Sequence, residues 1–224
     1  MTFILSKIKN SLKKRFINFY CPGWSGRAQW NLFREVFSRK KNFNYLALLG
    51  VYRGRDLAYM CEALKHNKND NFKIYAIDLF EQDVPFVIRD GKKVWQQDHS
   101  LELPSLNNSK KIIKHLGFSK NVEFIKGDFS LLAKINDKLD FSYIDIAHDY
   151  QSTKDAIDLS IRVGSSDMLI FGDDYGEGYT VDTQWGVKKA VQDSFSQFKV
   201  HYNWIWESER KFYKKEIKLD KNGE

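Results

Sequence analysis

Short apolar runs alternate with amphipathic stretches along the chain from residue 43 onward. This alternation predicts βαβ units around a parallel sheet, an α/β fold of the doubly wound, Rossmann-like kind. The five predicted strands are NYLALLG (44–50), KIYAIDL (73–79), VEFIKG (122–127), LDFSYIDI (139–146) and DMLIFGD (167–173). The five predicted helices cover residues 56–66, 109–116, 129–135, 152–163 and 183–195.

The aromatic-rich end of the chain departs from this alternation. FKVHYNWIW and RKFYKKEI predict two strands joined by residues 207–209, a hairpin rather than another crossover. Residues 80–108 fit no helix or strand well and exceed the usual connection of about 2 to 6 residues, which favours a lid or substrate insertion. We predict a domain over residues 35–216 with this insertion, after an arm of residues 1–34 and before a polar tail of residues 217–224.

Composition favours one soluble domain. The chain has 224 residues, 42% of them hydrophobic, which is enough for one sizeable core. Cys21 and Cys61 have neither a disulfide framework nor a zinc-ligand spacing, and a reducing cytoplasm fits this usage. No segment approaches the roughly 18 to 20 apolar residues that cross a bilayer. We therefore expect a cytoplasmic protein.

The net charge of +7 comes from the N-terminal arm, because the first acidic residue is Glu35 and the rest of the chain is formally neutral. A neutral body argues against the broad basic face that nucleic acids require. The arm repeats apolar residues every three or four positions, at Ile4, Ile8, Leu12, Phe16 and Phe19. This spacing predicts a basic amphipathic helix. It could lie on the inner face of an anionic membrane or pack against the domain or a second subunit.

Two glycines and an aspartate form the first candidate site. Gly50 and Gly54 lie where the first predicted strand turns into a helix, so the backbone can turn tightly and a ligand can approach it closely. Their G-x-x-x-G spacing argues against a pyrophosphate ligand. Asp78 ends the second strand and can accept hydrogen bonds from both ribose hydroxyls of a nucleoside. An ordinary turn and a solvated strand end are the alternatives.

Asp128 follows the third predicted strand in the sequence GDF. Its carboxylate could pair with the exocyclic amine of an adenine, or it could cap the next helix. The two roles are compatible.

Three aspartates and a histidine follow the fourth and fifth predicted strands, in YIDIAHDY and FGDDYG. Carboxyl ends of parallel strands meet at a ligand crevice, so Asp145, Asp173 and Asp174 are expected to converge there. Clustered carboxylates repel each other, and hard oxygen ligands favour magnesium, manganese or calcium. His148 is the candidate general base. The alternatives are aspartates that cap a loop in water and an incidental histidine.

Together these motifs resemble the class I S-adenosylmethionine-dependent methyltransferases, which have a seven-stranded Rossmann-like sheet with an antiparallel final hairpin. Within that class the likeness is to small bacterial O-methyltransferases of sugars and antibiotic scaffolds, the macrocin type, and more distantly to the catechol type. The shared features are GVYRG (50–54), Asp78, KGDF (126–129), IDIAHDY (144–150), DDY (173–175) and GVKKAVQDSF (186–195).

The resemblance implies the cofactor contacts. Gly50, Tyr52 and Gly54 would line the methionine end of S-adenosylmethionine. Asp78 would hold the ribose, and Asp128 would lie beside the adenine.

The resemblance also implies the metal ligands and the general base. Asp145, Asp173 and Asp174 would bind Mg²⁺ or another divalent cation. His148 stands where the catechol type has its catalytic lysine, so it would deprotonate the acceptor hydroxyl.

Two positions depart from the family pattern. Leu48 stands two residues before the first glycine, where an acid usually helps to hold the cofactor's ammonium group. Asp56 stands where Ser or Thr commonly follows the second glycine, and it is expected to cap the helix instead.

The sequence therefore predicts an S-adenosylmethionine-dependent, metal-assisted O-methyltransferase acting on a hydroxyl of a sugar, a glycan or another small molecule. Acceptor contacts are expected from residues 80–108, from the loop over residues 176–184 and from Trp185. The alternatives are an RNA methyltransferase, a catalytically inactive binding protein of the same fold, and a metal-dependent hydrolase. No nucleic-acid partner is expected, and a homo-oligomer is left open.

Overall fold

The computed structural model describes residues 12–23, 25–39, 42–80, 86–89, 92–95, 103–176 and 185–214. The chain divides into two compact units, Met1–Lys134 and Ile135–Glu224. The domain boundaries predicted from the sequence stay a prediction.

The first unit alternates helices and strands. Its elements are α1 (12–20), α2 (Arg27–Arg39), β1 (Tyr45–Leu49), α3 (Arg55–His66), β2 (Lys73–Asp78), β3 (Phe86–Arg89), β4 (Lys92–Trp95), α4 (Leu106–His115), β5 (Val122–Lys126) and a 3₁₀-helix (Phe129–Lys134).

The second unit continues the same alternation and ends in a hairpin. Its elements are β6 (Leu139–Ile144), α5 (Tyr150–Val163), β7 (Gly164–Gly172), α6 (Val187–Ser194), β8 (Lys199–His201), β9 (Ile205–Glu209) and a 3₁₀-helix (Arg210–Phe212).

Seven of the described strands form one sheet in the order β5-β2-β1-β6-β7-β9-β8. β2 pairs in parallel with β1 and β5, and β6 pairs in parallel with β7. β9 is antiparallel to both β7 and β8. Four of the five residues of β1 and four of the six of β2 are buried, as expected for parallel strands covered on both faces. The predicted Rossmann-like sheet with a C-terminal antiparallel hairpin is confirmed.

The C-terminal hairpin lies at a different register from the predicted one. Its second strand is β9, so residues 207–209, predicted to join the strands, lie inside a strand. The turn falls at Tyr202 and Asn203, which adopt φ values of +54° and +72°. Asparagine tolerates this left-handed backbone better than most residues, which favours the turn at this point.

Two other segments differ from the predictions. Residues 129–134 form a 3₁₀-helix instead of an α-helix, a conformation common in short connections. The segment 80–108 contains the antiparallel pair β3–β4, separate from the main sheet, and the start of α4. Helix α2 buries Trp30, Phe33 and Phe37.

Helix α1 packs against α3 and α4 of its own unit. Ile17 is fully buried. Lys13 Nζ lies 2.5 Å from a carboxylate oxygen of Glu62 on α3. The ring of Phe16 stacks on His115 of α4 with 4.7 Å between centroids. These contacts fix which side of α1 faces the protein.

Only part of the predicted apolar stripe is known to face the protein: Phe16 contacts α4, and Ile4 and Ile8 lie outside the described residues. Leu12 and Phe19 belong to that stripe, yet they are 59% and 81% exposed. Ile17 faces the protein instead, since it lies on the same side of the helix as Lys13, which pairs with α3. Among the described residues, no helix combines the length and apolar character needed to span a membrane.

Arg55, the first residue of α3, ties the segment after α1 to this helix. Its guanidinium donates hydrogen bonds to the carbonyl oxygens of Asn18 (3.3 Å), Cys21 (2.6 Å), Gly23 (2.5 Å) and Ser25 (2.7 Å). Arginine suits this task because it presents five N–H donors in a planar fork. The bonds satisfy carbonyl groups at the end of α1 that the helix itself leaves unpaired.

Candidate active site

The turn between β1 and α3, residues 50–54, is built from left-handed backbone. The φ angle is +87° at Gly50, +52° at Tyr52 and +90° at Gly54. A Cβ atom at Gly54 would lie 3.0 Å from the Cα atom of Ser109, closer than real Cβ contacts normally come. Glycine at position 54 is therefore required both by the backbone conformation and by the close approach of α4.

Asp78 holds this turn in place. Its Oδ2 atom accepts hydrogen bonds from the backbone N–H groups of Val51 (2.6 Å) and Tyr52 (2.8 Å). Its Oδ1 atom accepts one from the N–H of Phe80. The alternative of a solvated strand end is wrong, because both oxygens order main chain. The ribose contact implied by the resemblance stays a prediction.

Asp128 caps the 3₁₀-helix that follows it, as expected. Its Oδ1 atom accepts a hydrogen bond of 2.7 Å from the N–H of Ser130. Hydrogen bonds from the side chain and the backbone of Ser130 lower the pKa of Asp128. The adenine contact stays a prediction.

The two departures from the family pattern have different surroundings. Leu48 is fully buried in β1, beside Ala76 of β2. Asp56 is 7% exposed and accepts a hydrogen bond from the hydroxyl of Ser25. The predicted capping role of Asp56 is wrong, because α3 begins after Gly54 and Asp56 already lies inside its first turn.

In the second unit, Asp145, His148 and Asp174 come together. Each offers one ligand atom, and these atoms lie within 4.8 Å of one another. His148 Nε2 is 2.8 Å from Asp174 Oδ2, with the two side chains 21% and 26% exposed. His148 Nδ1 is buried and has no hydrogen-bond partner in the described part of the chain. Neutral imidazole with its proton on Nε2 would therefore carry a lone pair on Nδ1.

Asp173 lines the same pocket but has other contacts. The hydroxyl of Tyr143 donates to its Oδ2 atom at 3.2 Å, and the N–H of Asp174 donates to its Oδ1 atom at 3.0 Å. The structure does not include Asp173 in the cluster of three. Sequence reasoning missed Tyr143, although a buried tyrosine hydroxyl usually needs a polar partner, which was the available signal.

A tryptophan and a glycine frame the histidine. The rings of Trp185 and His148 are 4.7 Å apart, and the N–H of Gly186 donates to the His148 carbonyl oxygen at 2.7 Å. A Cβ at Gly186 would lie 2.3 Å from the backbone nitrogen of Tyr150. The pocket beside Asp145 has a volume of about 10 Å³, close to the space of one water molecule. Residues 177–184, expected to contact the acceptor, lie outside the described residues.

Comparisons with known proteins agree with this architecture. A family model described as a methyltransferase domain matches residues 48–175, more than half of the chain. A search of curated proteins found no significant match.

Solved methyltransferase structures share the fold at low sequence identity. The O-methyltransferase NovP is 19% identical with a TM-score of 0.61, covering 83% of this chain and 80% of its own. The Podospora anserina methyltransferase PaMTH1, bound to SAH (S-adenosylhomocysteine), is 12% identical with a TM-score of 0.61, covering 88% and 86%. A Bacillus cereus O-methyltransferase in complex with SAH is 12% identical with a TM-score of 0.58, covering 90% and 88%.

The glycine turn, Asp78 at the end of β2 and the cluster of Asp145, His148 and Asp174 all lie within the matched family segment. The chain belongs to the methyltransferase-domain family and has the class I S-adenosylmethionine-dependent methyltransferase fold.

Proposed function

We propose that this protein transfers a methyl group from S-adenosylmethionine to a hydroxyl oxygen of a sugar or another small acceptor, with His148 as the general base. The observation that carries the proposal is the state of this imidazole: Nε2 contacts Asp174, and the buried Nδ1 atom has no described partner. A general base needs an available lone pair and a second group that fixes its ring. The Asp174 contact on Nε2 meets the second requirement, and Nδ1, buried here without a described partner, would meet the first once the acceptor reaches it.

The cofactor would be held by the first unit. S-adenosylmethionine supplies a methyl group on a positively charged sulfur. The turn over residues 50–54 would let a ligand approach its backbone at Gly50, whereas the missing side chain of Gly54 makes room for Ser109 of α4. Asp78 keeps that turn in one conformation, and we assign the ribose to it and the adenine to Asp128. Leu48 offers no charge to the cofactor's ammonium group.

A divalent cation would be held by the second unit. The carboxylates of Asp145 and Asp174 form a cluster with His148, and the adjoining pocket is about the size of one water molecule. Two carboxylates fit Mg²⁺ or Mn²⁺ by their donor chemistry, and an imidazole as third ligand would favour Mn²⁺ or another transition metal over Mg²⁺. When bound, the cation would stabilise negative charge on the acceptor oxygen. Asp173 remains a further candidate ligand.

His148 would move the proton. Its Nδ1 atom would accept the acceptor hydroxyl proton, and Asp174 on Nε2 would stabilise the resulting imidazolium. The packing of Trp185 and the hydrogen bond from Gly186 hold the ring and its backbone in position.

The first experiment measures cofactor binding by calorimetry and methyl transfer from labelled S-adenosylmethionine to a panel of sugars, nucleotide sugars and catechols. We expect cofactor binding, and transfer that falls after chelation and in Asp145→Ala. Transfer that persists undiminished in both cases would refute the metal role. If calorimetry shows no binding of S-adenosylmethionine, the proposed enzymatic activity is refuted and an inactive binding protein is favoured.

A second experiment separates a base from a ligand at position 148. If His148 is the base, His148→Gln loses transfer but keeps the Mn²⁺ affinity of the wild type. A Mn²⁺ affinity that falls by more than about a hundredfold would instead make His148 a metal ligand, because losing a group that only supports a ligand costs about 10- to 100-fold.

We also infer a reducing compartment such as the cytoplasm. Cys21 and Cys61 are buried and unpaired with each other. Burial raises the pKa of Cys21 to about 12 and the pKa of Cys61 well above its ordinary value. Both groups therefore stay as unreactive thiols.

A further inference from the structure

The outward side of α1 exposes apolar side chains to an unusual degree. Seven large apolar residues are exposed in the described part of the chain, and three of them lie on this nine-residue helix. Leu12 is 59%, Phe19 81% and Tyr20 52% exposed. Contiguous exposed apolar residues commonly mark an interaction surface.

Leu12 and Phe19 are held outward by the contacts that Ile17 and Lys13 make. Ile17 is fully buried, and Lys13 pairs with Glu62 of α3. Rotating α1 to bury Phe19 would expose Ile17 and break that ion pair. The exposed face is therefore a fixed feature of the first unit.

Cationic residues border the apolar ones. Arg15 is exposed between Leu12 and Phe19 on α1. On the neighbouring α4, the side chain of Asn108 donates to the Tyr20 carbonyl oxygen at 3.3 Å and His115 stacks on α1. The exposed Lys111 lies between these two contact positions on the same side of α4.

No acidic residue interrupts this surface. Residues 1–34 and 103–122 contain no Asp or Glu. Lys110 and Lys114 add two further exposed cations to α4. The surface thus combines positive charge with exposed aliphatic and aromatic side chains.

We propose that Leu12, Arg15, Phe19, Tyr20 and Lys111, here called the α1–α4 face, dock on an anionic lipid bilayer. Apolar side chains on such a helix enter the boundary between headgroups and acyl chains, and cations pair with anionic headgroups. A nucleic acid would use the cations but would leave the aliphatic Leu12 without an apolar environment. The proposal is independent of the reaction that the protein catalyses.

Vesicle sedimentation of the full chain tests the proposal, with vesicles of phosphatidylcholine alone and of phosphatidylcholine mixed with phosphatidylglycerol. The protein should sediment only with the anionic vesicles, and less at high salt. Phe19→Glu should weaken the partition constant about tenfold or more. Arg15→Gln and Lys111→Gln should each weaken it about fivefold.

Trp204→Glu is the matched control, because Trp204 is an aromatic residue 48% exposed on the C-terminal hairpin. It should leave vesicle binding unchanged, and circular dichroism should report the same fold for every variant. The proposal is overturned if the wild type does not sediment with anionic vesicles, or if Phe19→Glu and Trp204→Glu lose binding equally. It is also overturned if the α1–α4 face variants lose binding to a homopolymeric RNA while vesicles are never bound.

Discussion

In the first unit a side chain orders the main chain, whereas in the second unit side chains meet one another in a cluster. Asp78 accepts hydrogen bonds from the N–H groups of Val51 and Tyr52 and so shapes the glycine turn. In the second unit, the side chains of His148 and Asp174 meet each other, with 2.8 Å between Nε2 and Oδ2.

The comparison separates two kinds of sensitivity. A turn made of backbone tolerates many side chains but not an added Cβ where φ is positive and a neighbour lies close, as at Gly54, and it loses its conformation when Asp78 is removed. A side-chain cluster loses its chemistry when one functional group is replaced, although its fold survives. Variants in the two units should therefore fail in different assays.

The largest effect is expected in the second unit. His148→Gln removes the proposed base, so kcat should fall about 10²- to 10⁴-fold while the unfolding midpoint stays close to the wild-type value. Steady-state kinetics and urea denaturation measure the two quantities. His201→Gln is the matched control, because His201 also contacts a carboxylate, Glu207 at 2.7 Å, and should keep its activity. Equal losses in both variants would contradict the assignment.

In the first unit, Asp78→Asn should mainly weaken the binding of S-adenosylmethionine. The amide replaces a charged acceptor of backbone hydrogen bonds, so the affinity for S-adenosylmethionine should fall about 10- to 100-fold by calorimetry. Asp70→Asn, at an exposed acid of the same unit, is the control and should bind S-adenosylmethionine with wild-type affinity. An unchanged affinity in Asp78→Asn would show that the turn does not depend on the Asp78 carboxylate.

Two glycines distinguish backbone strain from steric contact. Gly54 and Gly117 have φ values of +90° and +84°, but only at Gly54 would a Cβ meet a neighbour. Gly117→Ala should lower the free energy of unfolding by about 1 kcal/mol, and Gly54→Ala by about 2 to 3 kcal/mol, in urea denaturation. Equal losses in the free energy of unfolding would mean that α4 makes room for a Cβ at position 54 without a loss of stability.

The smallest effect concerns Asp128. Asp128→Ala removes an exposed cap and should lower the free energy of unfolding by about 0.5 to 1 kcal/mol at neutral pH. The folded-state pKa of Asp128 is lowered, so its contribution is full above the ordinary carboxyl range and is lost as pH falls through that lowered pKa. The free energies of unfolding of the wild type and the variant should therefore become equal at acidic pH. A constant difference down to strongly acidic pH would contradict this origin.

The sequence predicted those features that depend on local pattern. β1 and β2 are continuous apolar runs, and glycines at positions 50 and 54 can adopt a backbone that other residues rarely adopt. The hairpin register was wrong because Glu207 was assigned to a turn. It is 6% exposed in β9 and contacts His201, a partner that no local pattern indicates.

Side-chain direction explains the other differences. Asp173 and Asp174 are adjacent, yet Asp174 has a φ of +61° and contacts His148 while Asp173 meets Tyr143. On α1, the spacing of apolar residues did not indicate that Ile17 would be the buried one. Both outcomes depend on neighbours that are distant in the sequence.

The bonds of Arg55 have a consequence for the sequence. All four acceptors on residues 18–25 are carbonyl oxygens, which every amino acid possesses. These four bonds therefore place no requirement on the side chains of the accepting residues, while position 55 needs a side chain with several donors. Even lysine would fail there, since a single ammonium cannot reach four separated oxygens in the way a planar fork does.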